Sequence, residues 1–257
     1  MQWLSQFLSG KNRPIAPPTP KLPCPALPVC IIGDLHGRAD LLDHLLSMIT
    51  DQPASATARL IFVGDLIDRG PDSAAVLSRV RQLAEDAPDR VICLMGNHER
   101  MMLDFLDTPA NGTRWLRYGA VETLASLGVQ GRAVGDTPED RLQALATRLR
   151  QALPEGMETW LRTRPLWWQE GKLAVVHAGA NPNLPIVAQT AQTFLWGHRD
   201  FLQIPRQDGL WVAHGHSVVE TANAKAGRIA VDTGAWESGR LTAAWLDADG
   251  LRFIEAG

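Results

Sequence analysis

Five short apolar runs in this chain end alike, in glycine next to a side chain that can hold a metal ion. VCIIG (29–33) runs into Asp34-Leu35-His36-Gly37. RLIFVG (59–64) runs into Asp65-Leu66-Ile67-Asp68-Arg69-Gly70, and RVICLMG (90–96) into Asn97-His98-Glu99. KLAVVHAG (172–179) carries His177, and LWVAHGH (210–216) carries His214 and His216. Short apolar runs bounded by turn residues read as buried strands. Ligands of open α/β sheets gather just outside the carboxyl ends of the strands. Five such ends would therefore deliver Asp, His and Asn side chains to one small volume, with glycines letting the backbone turn sharply beside a ligand.

Between the first runs lie segments with helical spacing. ADLLDHLLSMIT (39–50), DSAAVLSRVRQLAE (72–85, with Asp72 and Ser73 as cap candidates) and ERMMLDFL (99–106) complete a βαβαβα order. That order implies a parallel sheet with right-handed crossovers. Residues 107–165 read as a mostly helical insertion over one end of the sheet. Beyond Pro165 the strand signal returns with short connections, and RIAVDTG (228–234), LTAAWLD (241–247) and LRFIEA (251–256) suggest an antiparallel meander. The expected fold class is α/β (α+β), with two mixed sheets packed together. The catalytic domain is expected over 28–257, behind a proline-rich tail or strap over 1–27 that holds Trp3 and Phe7.

Composition narrows the class of function. A formal charge of −3 offers no basic face for nucleic acid. No apolar run reaches the roughly 20 residues needed to span a bilayer, and no signal-peptide pattern opens the chain, so cytoplasmic residence is the expectation. The three cysteines lack CxxC spacing; Cys30 and Cys93 sit in apolar runs and read as buried core.

Imidazole, carboxylate and amide ligands without thiolate suit Mn, Fe or Zn rather than a structural zinc site. Six candidates fit two divalent ions: Asp34 and His36 on one, Asn97, His177 and His214 on the other, Asp65 bridging. His216 competes with His214, two residues along the same run. Two divalent ions less two carboxylates leave a formal charge of +2, which suits a phosphate dianion. Metals about 3.5–4 Å apart can clamp an in-line displacement.

The GDLHG, GDLIDRG and GNHE motifs, followed by two separated His motifs, resemble the calcineurin-like metallophosphoesterases over residues 29 to about 235. More narrowly they look like the phosphoprotein-phosphatase branch, with its bacterial and phage-lambda-type serine/threonine phosphatases. The resemblance implies a β-sandwich flanked by helices, a dinuclear site on the six residues above, with manganese the expected ion in vitro, and direct attack by a metal-bound hydroxide. It makes His98 the general acid, Asp68 its carboxylate partner, and Arg69 and Arg199, with Asn97, the phosphate contacts. Glu99 would support the site. Met95 stands where eukaryotic members carry Arg, and Tyr118, the sole tyrosine, has no late active-site match; both point to the bacterial branch, as does RWLRYGAVETLASLG (114–128). The implied substrate is a phosphorylated protein or peptide. The alternatives are a bis(5′-nucleosyl)-tetraphosphatase, against which Asp68 argues because that branch typically has Ala there, and a non-catalytic phosphopeptide-binding protein on the same fold.

Overall fold

The computed structural model describes residues 20–129 and 137–257. The proposed packing of Trp3 and Phe7 lies outside the described residues. The strands β1 (Val29–Ile32), β2 (Arg59–Phe62), β3 (Val91–Cys93), β4 (Trp167–Glu170), β5 (Leu173–Val176), β6 (Trp211–His214), β7 (Asn223–Lys225), β8 (Arg228–Ala230), β9 (Leu241–Asp247) and β10 (Gly250–Ala256) form two five-stranded sheets. The first runs β10-β9-β1-β2-β3, the second β4-β5-β6-β8-β7. Parallel pairs β1–β2–β3 and β5–β6–β8 are flanked by antiparallel edges, so both sheets are mixed.

Alternation along each strand builds two different cores, because successive side chains leave opposite faces. From β1, Val29 and Ile31 face the second sheet, meeting Leu173, Val175 and Ala213. Cys30 and Ile32 face the helices instead. The same split separates Ala244 and Leu246 from Ala243 and Trp245 on β9. Cys30 and Cys93 are buried, as read from the runs they interrupt.

Helices α1 (Ala39–Thr50), α2 (Ser73–Asp86) and α3 (Asn97–Asp107) cover the first sheet. In α1 the stripe Leu41, Leu42, Leu45, Leu46 and Ile49 is buried, each side chain contributing about 1.5–3 kcal/mol of transfer free energy. Asp72 occupies the N-cap position of α2 without a side-chain cap bond. Ser73 instead spends its hydroxyl on the Asp68 amide, 3.0 Å away. The insertion contributes α4 (Thr113–Arg117), α5 (Ala120–Ser126), α6 (Pro138–Ala152) and α7 (Met157–Arg162); α8 (Ala191–Trp196) and α9 (Ala235–Ser238) follow later.

One expectation needs correction, and one strand was not anticipated. Residues 228–234 do not join a terminal meander: β8 pairs in parallel with β6 in the second sheet, while β9 returns antiparallel to β1. The short polar β7 hairpin supplies the missing antiparallel neighbour. The WWQE segment, too mixed in character to announce a strand, forms β4 at the edge of the second sheet.

Candidate metal centre

The loops after β1 and β2 are knitted by backbone bonds: the amides of Leu35 and His36 both donate to Asp65 O, at 3.0 and 2.9 Å, and Gly37 N donates to Leu66 O. Glu99, opening α3, fixes the second loop. Its carboxylate accepts the amide hydrogens of Asp65 (2.9 Å), Leu66 (2.8 Å), Ile67 (3.2 Å) and Gly96 (3.0 Å). These bonds hold an unusual backbone. His36, Asp65, Asp68, Arg69 and His216 all adopt positive φ, at 42°, 51°, 73°, 71° and 61°. Such conformations are uncommon for non-glycine residues and persist only where surrounding contacts over-determine them.

The loops bring Asp34, His36, Asp65, Asn97 and His177 together. Asp65 sits at the centre. Its Oδ2 lies 3.5 Å from His36 Nε2 and its Oδ1 lies 3.4 Å from His177 Nε2. His36 and His177 turn their Nδ1 atoms to the backbone, onto Ile67 O (2.7 Å) and Val63 O (3.1 Å). This is how protein scaffolds orient metal-ligating imidazoles with Nε2 free for the ion. Burial holds these rings neutral, the state a ligand needs: His36 is lowered to about 3, and His177 is lowered as well.

The structure brings His216 rather than His214 to this group. His214 ends β6 with its ring against Phe201 (4.9 Å) and its Nδ1 3.0 Å from Gly215 O. The left-handed turn at His216 swings the next imidazole back toward His177 (ring centres 5.2 Å apart) and Asn97 (3.2 Å). Asp65, His177 and His216 then offer ligand atoms within 4.8 Å of one another. His36, Asp65 and His98 form a similar group. In that second group His98 has its Nδ1 held 2.6 Å from Asp68 Oδ2.

Arg199 is not brought to the cluster. Gly197, at φ 82°, turns the chain after α8, and the Arg199 side chain is 88% exposed with Asp200 as its ion-pair neighbour at 3.8 Å. Arg69 is placed at the site, its Nη2 3.3 Å from His98 Nε2. One further carboxylate stands beside them. Asp232 is buried among Asp34, Asp65 and Arg69, and burial first, then the Asp65 charge, raises its pKa to about 6. The run RIAVDTG had the same form as the others, an apolar strand ending in an acid and a glycine.

Three features fit these residues to divalent cations. Asp34 Oδ1 is buried without a hydrogen-bond partner, although its Oδ2 accepts the His216 amide at 3.0 Å. Burial, then Asp232 and Asp65, push the Asp34 pKa well up. The Asn97 amide oxygen lies 2.8 Å from His177 Nε2 and about as close to the Asp65 carboxylate, facing acceptors alone; rotated, its NH2 would donate to the same atoms. A cation among them resolves the crowding without rotation. Five buried carboxylates, Asp34, Asp65, Asp68, Glu99 and Asp232, also call for compensating positive charge.

A family description of calcineurin-like phosphoesterases matches residues 27–220. The chain belongs to that family. This phosphoesterase is 32% identical over 153 residues to the symmetrical bis(5′-nucleosyl)-tetraphosphatase of Dechloromonas aromatica, spanning 59% of the chain and 43% of the relative. It is 33% identical over 151 residues to the protein of the same name from Methylococcus capsulatus, spanning 59% and 42%. The chain thus covers less than half the length of these relatives. In fold it is similar to a crystal structure named for a candidate diadenosine tetraphosphatase, with TM-score 0.61, 20% identity and coverage of 95% and 96%. A serine/threonine phosphatase from Saccharomyces cerevisiae gives TM-score 0.57 at 16% identity, with coverage of 90% and 80%. The chain therefore carries a calcineurin-like phosphoesterase domain with residues able to hold metal. No helix among its described residues is long and apolar enough to cross a membrane.

The insertion does more than cover the sheet. Trp115 Nε1 donates to Asp68 Oδ2 (2.9 Å), Thr123 Oγ1 donates to Asp68 Oδ1 (2.6 Å), and Arg69 N donates to Gly119 O (3.1 Å). Asp68 is thereby fixed from outside the sheet. Replacing Thr123 with Val, a near-isostere, leaves a buried carboxylate oxygen short of a donor. The expected cost is about 1–3 kcal/mol of stability, seen as a thermal midpoint several degrees lower, together with reduced kcat. An unaltered melt with unaltered kcat would show that Asp68 does not depend on this contact.

Proposed function

We propose that this phosphoesterase hydrolyses bis(5′-nucleosyl) tetraphosphates, by attack of water on a phosphorus of the polyphosphate bridge. The attacking oxygen bonds to phosphorus as a bridging P–O bond breaks; symmetrical cleavage releases two nucleoside diphosphates. The supporting observation is the shared name of the curated relatives, 31–33% identical to this chain. Two divalent cations at Asp34, His36, Asp65, Asn97, His177 and His216 would neutralise phosphate charge and acidify the attacking water. Arg69 is positioned to hold a phosphate oxygen pair through its planar guanidinium. His98 Nε2 faces the same space and can deliver a proton to the departing oxygen.

A second reading, hydrolysis of phosphoserine or phosphothreonine in proteins, is favoured by one observation. The His98–Asp68 contact has the form of a proton-delivery pair, and an alkoxide leaving group needs a proton far more than a nucleoside diphosphate does. Release of ADP from bis(5′-adenosyl) tetraphosphate should be compared with release of phosphate from a phosphoserine peptide, both with added manganese. The dinucleotide should give the higher kcat/KM. Efficient release from the peptide alone would transfer the assignment to the second reading, and turnover of neither substrate, nor of an aryl phosphate, would remove both.

A further inference from the structure

Two tryptophans lie beside the metal centre, one reached through Arg69 and His98 and the other through His216, and an arginine lies over each. On the His36–His98 side, Arg69 Cζ lies 5.2 Å from the ring centre of Trp236, and Arg69 also approaches His98. Trp236 is 38% exposed and sits on α9, directly after the buried Asp232-Thr233-Gly234 turn. On the His177–His216 side, Trp196 meets His216 edge-on at 6.3 Å, and Arg114 Cζ lies 4.0 Å from the Trp196 ring centre. Asp65 has His36 at 3.5 Å on one oxygen and His177 at 3.4 Å on the other.

The Trp196 flank also opens on a cleft of about 860 Å³ whose walls include Arg100, Arg114, Arg162 and Arg164. That volume falls in the range of small-molecule sites. Arg100 is paired with Asp104, and Arg162 with Asp107 and Glu158. Arg164 bonds Trp160 O and Thr163 Oγ1, and Arg114 stacks on Trp196; among the described residues neither is engaged by a carboxylate. Trp115, which holds Asp68, forms part of the same wall, so the cleft backs directly onto the reacting centre.

We propose that Trp236 with Arg69, and Trp196 with Arg114, are stacking subsites for the two nucleobases of a bis-nucleosyl polyphosphate bridging the metal centre. The proposal rests on the substrate reading above and deepens it. Indole faces and guanidinium planes both stack on bases, and such stacking tolerates any base because every base has a π face. Arginines clear of carboxylates complement the phosphates between. A peptide arm presents no pair of flat rings spaced about a scissile phosphate.

Two measurements in manganese buffer decide it, on the wild type, Trp196→Ala, Trp236→Ala and the exposed-site variant Arg114→Glu. The first is kcat/KM for bis(5′-adenosyl) tetraphosphate relative to nitrophenyl phosphate. The second is calorimetric binding of ADP relative to inorganic pyrophosphate. The wild type should bind ADP about tenfold or more tighter than pyrophosphate, a preference owed to the base. Each variant should lower the dinucleotide-to-aryl ratio about tenfold, chiefly through KM, and should shrink the ADP preference. Trp196→Phe, which keeps a stacking face, should restore part of both. If Trp196→Ala does not fold, Trp236→Ala and Arg114→Glu, both at exposed positions, carry the test. A wild type that hydrolyses the dinucleotide while the variants keep wild-type ratios overturns the subsites and spares the substrate reading. A wild type that fails on the dinucleotide yet binds ADP through the tryptophans overturns the substrate reading and spares the subsites.

Discussion

His98→Asn should keep its metals and lose about 10²–10⁴-fold in turnover of phenyl phosphate, the loss expected of an absent general acid. The reason is geometric. His98 Nδ1 is fixed 2.6 Å from Asp68, so Nε2 is the atom left to face the substrate, beside Arg69. Burial by itself would lower the His98 pKa, but the Asp65 charge and the Asp68 hydrogen bond outweigh it and the net direction is upward. The ring therefore keeps its proton to higher pH than a free imidazole. The loss should track the leaving group: phenolate, of pKa about 10, depends on the proton, whereas the weaker base nitrophenolate depends on it less. Asp68→Asn should move the alkaline limb of the wild-type pH–kcat profile to lower pH, because a carboxylate that raised the pKa is gone. Equal losses on both phenyl esters would show that His98 shapes the pocket without delivering a proton.

Much of this centre was legible because its residues sit where strands stop. Asp34, His36, Asp65, Asn97 and His177 each follow an apolar run directly, and strand ends in a mixed sheet converge whatever the loops do. The α1 stripe and the buried cysteines were legible for a similar reason, since periodicity records burial. What stayed hidden depends on single backbone dihedrals or on distant pairing. His214 and His216 have the same parity along a strand, and only the left-handed turn at His216 decides which ring reaches the site. Arg199 lies in a promising motif, yet the reversal at Gly197 sends it to solvent. Strand β8 carries a run resembling its neighbours, but which sheet it joins is settled by pairing with β6, about 16 residues earlier in the chain. The helical insertion announced its helices, while its grip on Asp68 through Trp115 and Thr123 left no periodic trace.

Asp65→Asn should reduce the metal content from two ions per chain to at most one and reduce turnover at least as far as His98→Asn does. Among the described residues Asp65 alone belongs to both histidine groups, reaching each through a different oxygen. Burial pushes its pKa up, but His177, His98 and His36 prevail and hold it below the usual carboxylate range, so the side chain presents charge on both oxygens. An amide keeps the shape and one acceptor oxygen, loses the charge, and turns an N–H toward one of the two metal positions. Stability offers a readout independent of catalysis. Ligands that bind only the folded state stabilise it by RT ln(1 + [L]/Kd), about 2.7 kcal/mol per site at a hundredfold excess over Kd. Manganese should therefore raise the thermal midpoint of the wild type markedly more than that of Asp65→Asn. Without metal the variant should melt no higher than the wild type, because a carboxylate held below its usual range favours the folded state as the anion. Two metal ions per chain in the variant, with a wild-type response of the melt to manganese, would mean that the two sites do not share this carboxylate.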